Sequence, residues 1–339
     1  MPLVRDNAPI DTWRDGDFAQ GFVLVERKDV RQDRNGRNYL DLVLSDASGR
    51  IIAKAWPDSP AMRSGADFAE SDIVHIKGTV RAYREQLQLN LEHARRLSDA
   101  DRDAGYDESL VIRTAVAGLD ALWTRLAAIY PDALARPALR RLVAVALERH
   151  GDALRVHPAA RSIHHAYRGG LLEHVVTMAE LAQSTCAHYP DLDLDLVLVG
   201  VLFHDLGKLR ELGAMPANQY TVEGHLIGHI AIGRDMLRDC CAAVDDLDEE
   251  TRLHLEHLVL AHHGRREYGS PVAPATAEAF VLHVLDDLDS KLNQLREAGR
   301  GVGPAIRHVR GLDRYVYYGR TADGSGTDAN AETGEDDDG

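Results

Sequence analysis

The strongest limit on how this chain can fold is the segment Leu196–Lys208, where an apolar run ends in two polar side chains that can bind metals. The run Leu196–Phe203 holds only apolar residues and one glycine, a pattern that predicts a buried helix. His204 and Asp205 follow at once, and burying an imidazole beside a carboxylate costs free energy unless each is paired or coordinated. Lys208 falls on the same helical face, where its charge could meet a phosphate. Taken alone, the dipeptide fits a solvated helix end equally well.

Further histidines and carboxylates occur on or near other apolar helical segments. They are His174, His229, the pair His262-His263, and the group Asp286–Asp289, which is expected to end an apolar helix. One such histidine is more often a satisfied core residue than a ligand, but several at separate buried helices are hard to explain as core. Ligands limited to imidazole and carboxylate suit Mn²⁺, Fe²⁺, Co²⁺ or Zn²⁺, and suit Mg²⁺ less well. These positions therefore predict a metal centre.

Residues 19–97 have the alternating or β-rich pattern of strands separated by turn sequences. Five short strands in about 80 residues suit a small Greek-key barrel, for which the OB-fold is the leading candidate. The predicted strands are Gly21–Glu26, Tyr39–Leu44, Ile51–Trp56, Ile73–Lys77 and Gln86–Leu91.

A barrel of this kind binds single strands through stacking aromatic rings and cationic side chains. The candidates for stacking are Tyr39, Trp56 and Tyr83, and those for phosphate contact are Arg37, Lys54, Arg81 and Arg84. The alternative is that the aromatic rings fill the core while the arginines are solvated. The sequence leaves both open for each residue.

The chain divides into two domains and a tail. Residues 98–107 are polar and rich in aspartate, which predicts a linker, and residues 108–320 show the periodicity of long amphipathic helices. Residues 321–339 contain seven acidic residues, no Lys or Arg, and no apolar side chain larger than alanine, so a disordered acidic tail is expected. The predicted fold is an all-β OB-fold barrel in residues 1–97, then the linker and an all-α helical bundle.

Charge and cysteine content exclude several classes of protein. The formal net charge is −15, but residues 1–97 balance 15 acidic against 15 basic residues. That balance argues against a strong, salt-driven, non-specific nucleic-acid binder, although not against a local basic groove. Three cysteines are too few for a disulfide framework, and a reducing cytoplasm fits best.

The N-terminus lacks a signal-peptide core, and no apolar run approaches the ~20 residues of a membrane helix.

The ordered set of motifs resembles the HD-domain metal-dependent phosphohydrolases, and more closely the YhaM-type 3′→5′ exoribonucleases, which combine an OB-fold with an HD domain. The resemblance covers nearly the whole chain. The family-like strings are Asp46–Trp56, Ser162–His174, Leu202–Lys208, Tyr220–Gly224, Gly228-His229, His262–Gly264, Gly269–Pro271 and Leu285–Leu292. The His204-Asp205 dyad alone is moderately specific, whereas the ordered set is strongly so.

The resemblance implies a metal-dependent exonuclease that shortens single-stranded RNA from its 3′ end and releases 5′-mononucleotides. It also implies two divalent ions, with Mn²⁺ as the first candidate; single-stranded DNA as a second substrate and a homo-oligomer are further expectations. The implied ligands are His174, His204, Asp205 and Asp286 for one ion and Asp205, His229 and His262 for the other. The implied substrate contacts are Lys208, His263 (as a general acid), His164, His165 and Arg168.

The chain departs from the family pattern at Arg265-Arg266, which follows His262-His263-Gly264 where an acidic residue is common. Two other functions stay open at this stage. One is an HD phosphohydrolase of a small nucleotide or cyclic dinucleotide, with the barrel as a regulatory module. The other is a non-catalytic nucleic-acid-binding module. A complete ligand set disfavours the second, and a barrel resembling nucleic-acid OB-folds disfavours the first.

Overall fold

A β-barrel followed by a helical domain makes up the structure, a computed structural model that describes residues 4–64, 67–83, 86–160, 166–216, 218–299 and 305–319. This order confirms the predicted fold class. The barrel contains β1 (Val4–Asp6), β2 (Phe18–Gln32), β3 (Asn38–Ser45), β4 (Arg50–Ala55), α1 (Pro60–Ser64), β5 (Ile73–Tyr83) and β6 (Gln86–Arg96).

The barrel closes because the long strand β2 pairs with two partners. Its part Phe18–Leu24 is antiparallel to β5, and its part Leu24–Gln32 is antiparallel to β3. The sheet order is β1-β2-β3-β4-β6-β5, and β4 and β6 run parallel. Alternate residues along much of β2, β4 and β5 are buried in one core. Strands β5 and β6 approach so closely at Gly78 that a Cβ atom there would collide with the Asn90 carbonyl oxygen.

The segment 98–107, predicted as a polar linker, is folded against the barrel. It contains the short helix α2 (Asp99–Asp103), which begins with a capping box at Ser98. The Tyr106 ring then packs edge-on against Phe22, with ring centroids 4.9 Å apart. The chain therefore enters the helical domain from a defined position on the barrel.

The helical domain is built around one central helix that is buried on every side. Its helices are α3 (Leu119–Ala133), α4 (Pro137–Val156), α5 (Gly170–His188), α6 (Leu194–Phe203), α7 (Lys208–Glu211), α8 (Val222–Leu226), α9 (His229–Cys241), α10 (Glu249–Ala261) and α11 (Ala277–Gly299). The central helix is α6, which contacts α3, α4, α5, α9, α10 and α11 and confirms the helix predicted from the apolar run. Because α6 is enclosed in this way, whatever follows Phe203 is held in a fixed place.

Helix α11 is longer than predicted, because the acidic group Asp286–Asp289 does not end it. The helix continues to Gly299. Asp289 is 3% exposed and accepts a hydrogen bond from His174 inside the domain. This hydrogen bond offsets the cost of removing the carboxylate from water, so the acidic group can lie within the helix and not only at its end.

A β-hairpin that the sequence did not predict follows α11. It consists of β7 (Ile306–Val309) and β8 (Arg314–Tyr317), which are antiparallel. Strands of four residues are too short for an alternating pattern to stand out. The expected acidic tail, residues 321–339, lies outside the described residues. None of the helices that the structure describes combines the length and the apolar character needed to cross a bilayer.

Candidate metal centre

Five helices bring the six side chains predicted as metal ligands to one place in the helical domain. His204 and His262 are fully buried, and His174 and Asp205 are 2% exposed. The contributions are His174 from α5, His204-Asp205 directly after α6, His229 at the start of α9, His262 directly after α10, and Asp286 from α11.

His174, His204 and Asp286 form a first group of candidate ligand atoms. His174 Nε2 lies 3.1 Å from His204 Nε2 and 3.3 Å from Asp286 Oδ1. Asp205 Oδ2 lies 3.6 Å from the same His174 nitrogen and 3.4 Å from the His204 nitrogen. Two imidazole nitrogens and two carboxylate oxygens are therefore close enough together to share one cation.

Three buried atoms of a second group have no hydrogen-bond partner among the residues that the structure describes. They are Asp205 Oδ1, His229 Nε2 and His262 Nε2. The two nitrogens lie 3.6 and 3.7 Å from the Asp205 oxygen. Leaving one buried polar atom unsatisfied costs about 1–3 kcal/mol, so three together are expensive. A divalent cation fits this donor set and would satisfy all three atoms at once.

Two of the histidines are oriented by the helices that they follow. His204 and His262 stand after the last residues of α6 and α10, where carbonyl groups of the final turn lack helical partners. Nδ1 of His204 donates to the Val201 carbonyl at 2.8 Å, and Nδ1 of His262 donates to the Val259 carbonyl at 2.7 Å. The proton is thus held on Nδ1, which leaves the Nε2 lone pair of each ring free for a metal.

Two carboxylates orient His174 and His229: Asp289, which belongs to the predicted acidic group Asp286–Asp289, and Glu211, which the sequence did not predict. Asp289 Oδ2 lies 2.6 Å from His174 Nδ1, and Glu211 Oε1 accepts hydrogen bonds of 2.9 Å from both the ring and the backbone of His229. Metal-binding histidines commonly have such a carboxylate behind them. Asp289 could have been found from its spacing, because it lies three residues after Asp286 on one helix. Glu211 has no comparable signal in the sequence.

Asp205 and Lys208 form a buried ion pair with an Nζ–Oδ2 distance of 2.6 Å. Burial alone would raise the pKa of Asp205, but Lys208, followed by His204, holds that pKa well below the usual range. Burial would lower the pKa of Lys208, but Asp205 raises it above its ordinary value. Both groups are therefore charged at neutral pH, and the lysine fixes one oxygen of the carboxylate.

His174 holds its protons tightly. Burial would lower its pKa, but the carboxylates of Asp286 and Asp289 raise it to about 10. Burial would raise the pKa of Asp286, yet hydrogen bonding to His174 holds it below the usual range. The ring is therefore doubly protonated at pH 7, and a cation bound by Nε2 would have to displace a proton.

His263 joins His229 and His262 in the second group, because the candidate ligand atoms of the three rings lie within 4.8 Å of one another. Its ring centroid is 4.3 Å from that of His262 and 5.2 Å from that of His229. Nδ1 donates to the Tyr268 carbonyl at 2.7 Å. Burial lowers the pKa of His263, so the neutral ring offers Nε2 as an acceptor. The role of His263 as a general acid stays a prediction.

Arg168 belongs to neither group of ligand atoms. Its guanidinium lies 3.0 Å from the Glu108 carboxylate, and its backbone forms a bridge to Thr114. His164 and His165 lie outside the described residues. Arg168 is thus engaged in an ion pair, and its contact with a substrate stays a prediction.

Five of the predicted nucleic-acid contacts of the barrel share one outer face of the sheet, whereas Arg37 pairs with Asp33 and Asp58. The rings of Tyr39 and Trp56 lie 5.2 Å apart at a 32° tilt, and Lys54 Nζ is 4.8 Å from the centre of the Tyr39 ring. Strand β6 lies between β4 and β5, and residues paired across it point to the same side. Arg81 and Tyr83 therefore lie on the same face as Lys54. We call these five residues the barrel face.

Exposure decides between stacking and core packing for two of the aromatic residues. Trp56 is 42% exposed and Tyr83 is 58% exposed, so neither ring fills the barrel core. Arg81 is exposed as well, whereas Arg84 lies outside the described residues. The barrel face thus presents rings and cations to solvent, the combination that single-stranded nucleic acids bind.

Three family models match parts of the chain, and the shortest match, to a putative helicase, covers residues 119–190. The model of the HD domain matches residues 171–291, which include every candidate ligand. The model of the OB-fold nucleic acid binding domain matches residues 23–97.

Several curated proteins are similar to nearly the whole chain. The 3′-5′ exoribonuclease YhaM of Shouchella clausii is 35% identical over 90% of this chain and 94% of its own length. The 3′-5′ exoribonuclease YhaM of Bacillus subtilis is 35% identical over 89% and 95%, and that of Bacillus pumilus is 37% identical over 91% and 97%. Similarity at this level across both domains shows that the chain belongs to the family of the YhaM 3′-5′ exoribonucleases.

Proposed function

We propose that this protein is a divalent-metal-dependent 3′→5′ exoribonuclease that hydrolyses the phosphodiester bonds of single-stranded RNA to 5′-mononucleotides. One observation supports it above all: Asp205 Oδ1, His229 Nε2 and His262 Nε2 are buried, close together, and without a hydrogen-bond partner in the part of the chain that the structure describes. A cation site of this composition suits the hydrolysis of phosphate esters. The names of the relatives supply the substrate and the direction.

We assign two ions to the centre. His174, His204, Asp205 and Asp286 would hold the first, and Asp205, His229 and His262 the second. Mn²⁺ is the first candidate, followed by Fe²⁺, Co²⁺ and Zn²⁺, because most donors are imidazoles, which Mg²⁺ disfavours. When bound, such ions lower the pKa of a water molecule and offset the negative charge of the phosphoryl group.

Asp205 is suited to bridge the two ligand groups because its two oxygens face different neighbours. Oδ2 lies near His174 and His204, and Oδ1 lies near His229 and His262. Lys208 holds this carboxylate in place and carries a positive charge that a scissile phosphate can approach. His263 Nε2, with Nδ1 tied to a carbonyl, would contact the phosphate or the leaving oxygen.

The barrel face gives the protein a way to hold a strand whose 3′ end lies at the metal centre. Stacked rings accept any base, because every base has a π face, and Lys54 and Arg81 can contact phosphates. This surface favours a polymer over a small nucleotide as the substrate. Single-stranded DNA as a second substrate, a homo-oligomer and a cytoplasmic location stay predictions.

The assay that tests the proposal compares end-labelled RNA oligomers incubated with the protein and Mn²⁺. A 3′-labelled RNA should release its label as a mononucleotide at once, whereas a 5′-labelled RNA should shorten stepwise. A panel of nucleotides and cyclic dinucleotides is assayed in parallel as alternative substrates. If a member of the panel is hydrolysed rapidly and RNA is not shortened, the protein is a small-nucleotide hydrolase and the proposed exonuclease activity is wrong.

Replacing Asp205 by Asn should reduce hydrolysis of RNA and of bis-p-nitrophenyl phosphate by at least about 100-fold, because several kcal/mol of transition-state stabilisation depend on the ions. The matched control is Asp287→Asn, which removes a carboxylate that pairs with Lys291 at the surface. The control should keep full activity. Circular dichroism should show both variants folded. Comparable activity of Asp205→Asn and the control would contradict the assignment of Asp205 as a ligand.

Mn²⁺ binding should release about one proton at pH 7, because His174 has a pKa raised to about 10 and binds a cation only after losing its Nε2 proton. Because protons compete less with the cation as pH rises, Mn²⁺ affinity should increase by about tenfold per pH unit between pH ~7 and ~9. Calorimetric titrations in two buffers of different ionisation enthalpy measure the released protons directly. Equal apparent enthalpies in the two buffers would show that no proton leaves.

The double variant Tyr39→Ala/Trp56→Ala should raise KM for a long RNA by about 10- to 100-fold, since stacking contributes about 1–3 kcal/mol per base. Hydrolysis of bis-p-nitrophenyl phosphate should not change, because the metal centre lies in the other domain. The variant Tyr39→Phe/Trp56→Phe keeps both rings and should behave as wild type. An unchanged KM in the alanine variant would remove the barrel face from the RNA path.

A further inference from the structure

The loop after His262-His263 returns to the metal centre through one hydrogen bond. Gly264 starts it with φ of +78°, and a Cβ atom there would collide with the His283 ring. The chain then makes a 3₁₀ turn, Arg266–Tyr268. The carbonyl oxygen of Tyr268 accepts the 2.7 Å hydrogen bond from His263 Nδ1. The loop is therefore placed beside the second group of ligand atoms by the ring of one of its members.

The side chains of this loop match a nucleotide. Arg265, Arg266 and Tyr268 are all exposed, and the Tyr268 ring is 62% exposed. The Arg265 guanidinium lies 5.9 Å from the centre of that ring. Neither arginine forms an ion pair within the described residues, although the chain has a net charge of −15 and the loop itself contains Glu267. Other arginines of the domain, such as Arg125, Arg136 and Arg252, pair with acids.

We propose that Arg265, Arg266 and Tyr268 form a nucleotide subsite at the metal centre. The Tyr268 ring stacks on a base within the last two nucleotides of the RNA, and the two guanidiniums contact the phosphates beside the scissile bond. Guanidinium forks match phosphate oxygens, and a ring accepts any base, so the subsite suits an enzyme that removes nucleotides without regard to sequence. This inference rests on the proposed exoribonuclease function.

The backbone and the side chain of Tyr268 have separate roles, which makes the subsite testable. The carbonyl group holds His263, so replacing the side chain leaves that hydrogen bond in place. Tyr268→Ala, Arg265→Ala and Arg266→Ala therefore change the subsite and keep the metal centre. Each variant should bind Mn²⁺ with the wild-type affinity in calorimetric titrations. Circular dichroism should show each variant folded.

The arginines are tested by binding of a 5′-fluorescein-labelled uridine hexanucleotide in EDTA, measured by fluorescence anisotropy across a salt series. Each lost phosphate contact should reduce the slope of log Kd against log salt by about 0.7 for a single strand. The double variant Arg265→Ala/Arg266→Ala should therefore bind more weakly and with a flatter slope. The control is Arg296→Ala, an exposed arginine ten residues beyond Asp286 on α11, which should leave both values unchanged. A salt slope of the double variant equal to that of the wild type would overturn the proposed phosphate contacts of Arg265 and Arg266.

The tyrosine is tested with RNA that lacks bases at its two 3′-terminal positions. Tyr268→Ala should weaken binding of the intact hexanucleotide at least about fivefold and leave binding of the abasic RNA unchanged. Tyr268→Phe should bind as wild type, and so should Tyr189→Ala, which removes another exposed tyrosine. Equal losses on both RNAs, or no loss on either, would overturn stacking by Tyr268.

The two proposals fail in different ways. If the wild-type protein shortens RNA from its 3′ end while all loop variants keep wild-type affinity and salt slope, the subsite is wrong and the exoribonuclease stands. If the wild-type protein does not shorten RNA, the proposed function is wrong whatever the variants do, and the subsite falls with it.

Discussion

The buried carboxylate of Asp205 is the interaction on which the rest of the helical domain depends. With 2% of its surface exposed, this charge has lost its water, which costs several kcal/mol unless other groups replace it. Lys208 compensates one oxygen, at 2.6 Å. The other oxygen faces the bare nitrogens of His229 and His262. Among the described residues, Oδ1 of Asp205 has no hydrogen-bond partner, so cation binding and the local fold support each other.

Each of the four imidazoles is oriented by a hydrogen bond from its Nδ1 to an oxygen atom. His204 and His262 each follow a helix and donate to a carbonyl of its last turn. His174 and His229 instead hydrogen-bond to the carboxylates of Asp289 and Glu211. In all four rings Nδ1 is held from behind and Nε2 points toward the carboxylates at the centre. Because helix α6 is packed on every side, these positions can shift little without disturbing the core.

In the proposed function, recognition and chemistry lie on different surfaces of the protein. The chemistry lies among buried groups, and the barrel face presents exposed rings and cations such as Trp56 and Arg81. The loop Arg265–Tyr268 combines features of both surfaces. Its side chains are exposed, and its backbone accepts a hydrogen bond from His263. An enzyme divided in this way can hold a strand by its backbone and bases while the metal centre acts on any terminal bond.

Local patterns in the sequence were enough to predict the barrel, the buried helix α6 and the dyad His204-Asp205, because strand alternation and apolar runs are properties of a few consecutive residues. The same patterns singled out His174, His229, His262 and Asp286 as candidate ligands, and the family resemblance divided them between two ions. Only the tertiary structure revealed that α11 continues past Asp286, and that Asp289 and Glu211 orient histidines. It also showed which barrel residues share one face. Asp289 meets a histidine 115 positions away, and Glu211 meets one 18 positions away. The spacing of Asp289 from Asp286 indicates a shared helix face, but no local pattern indicates a partner so far away in the chain, so both pairings are decided by how the helices pack.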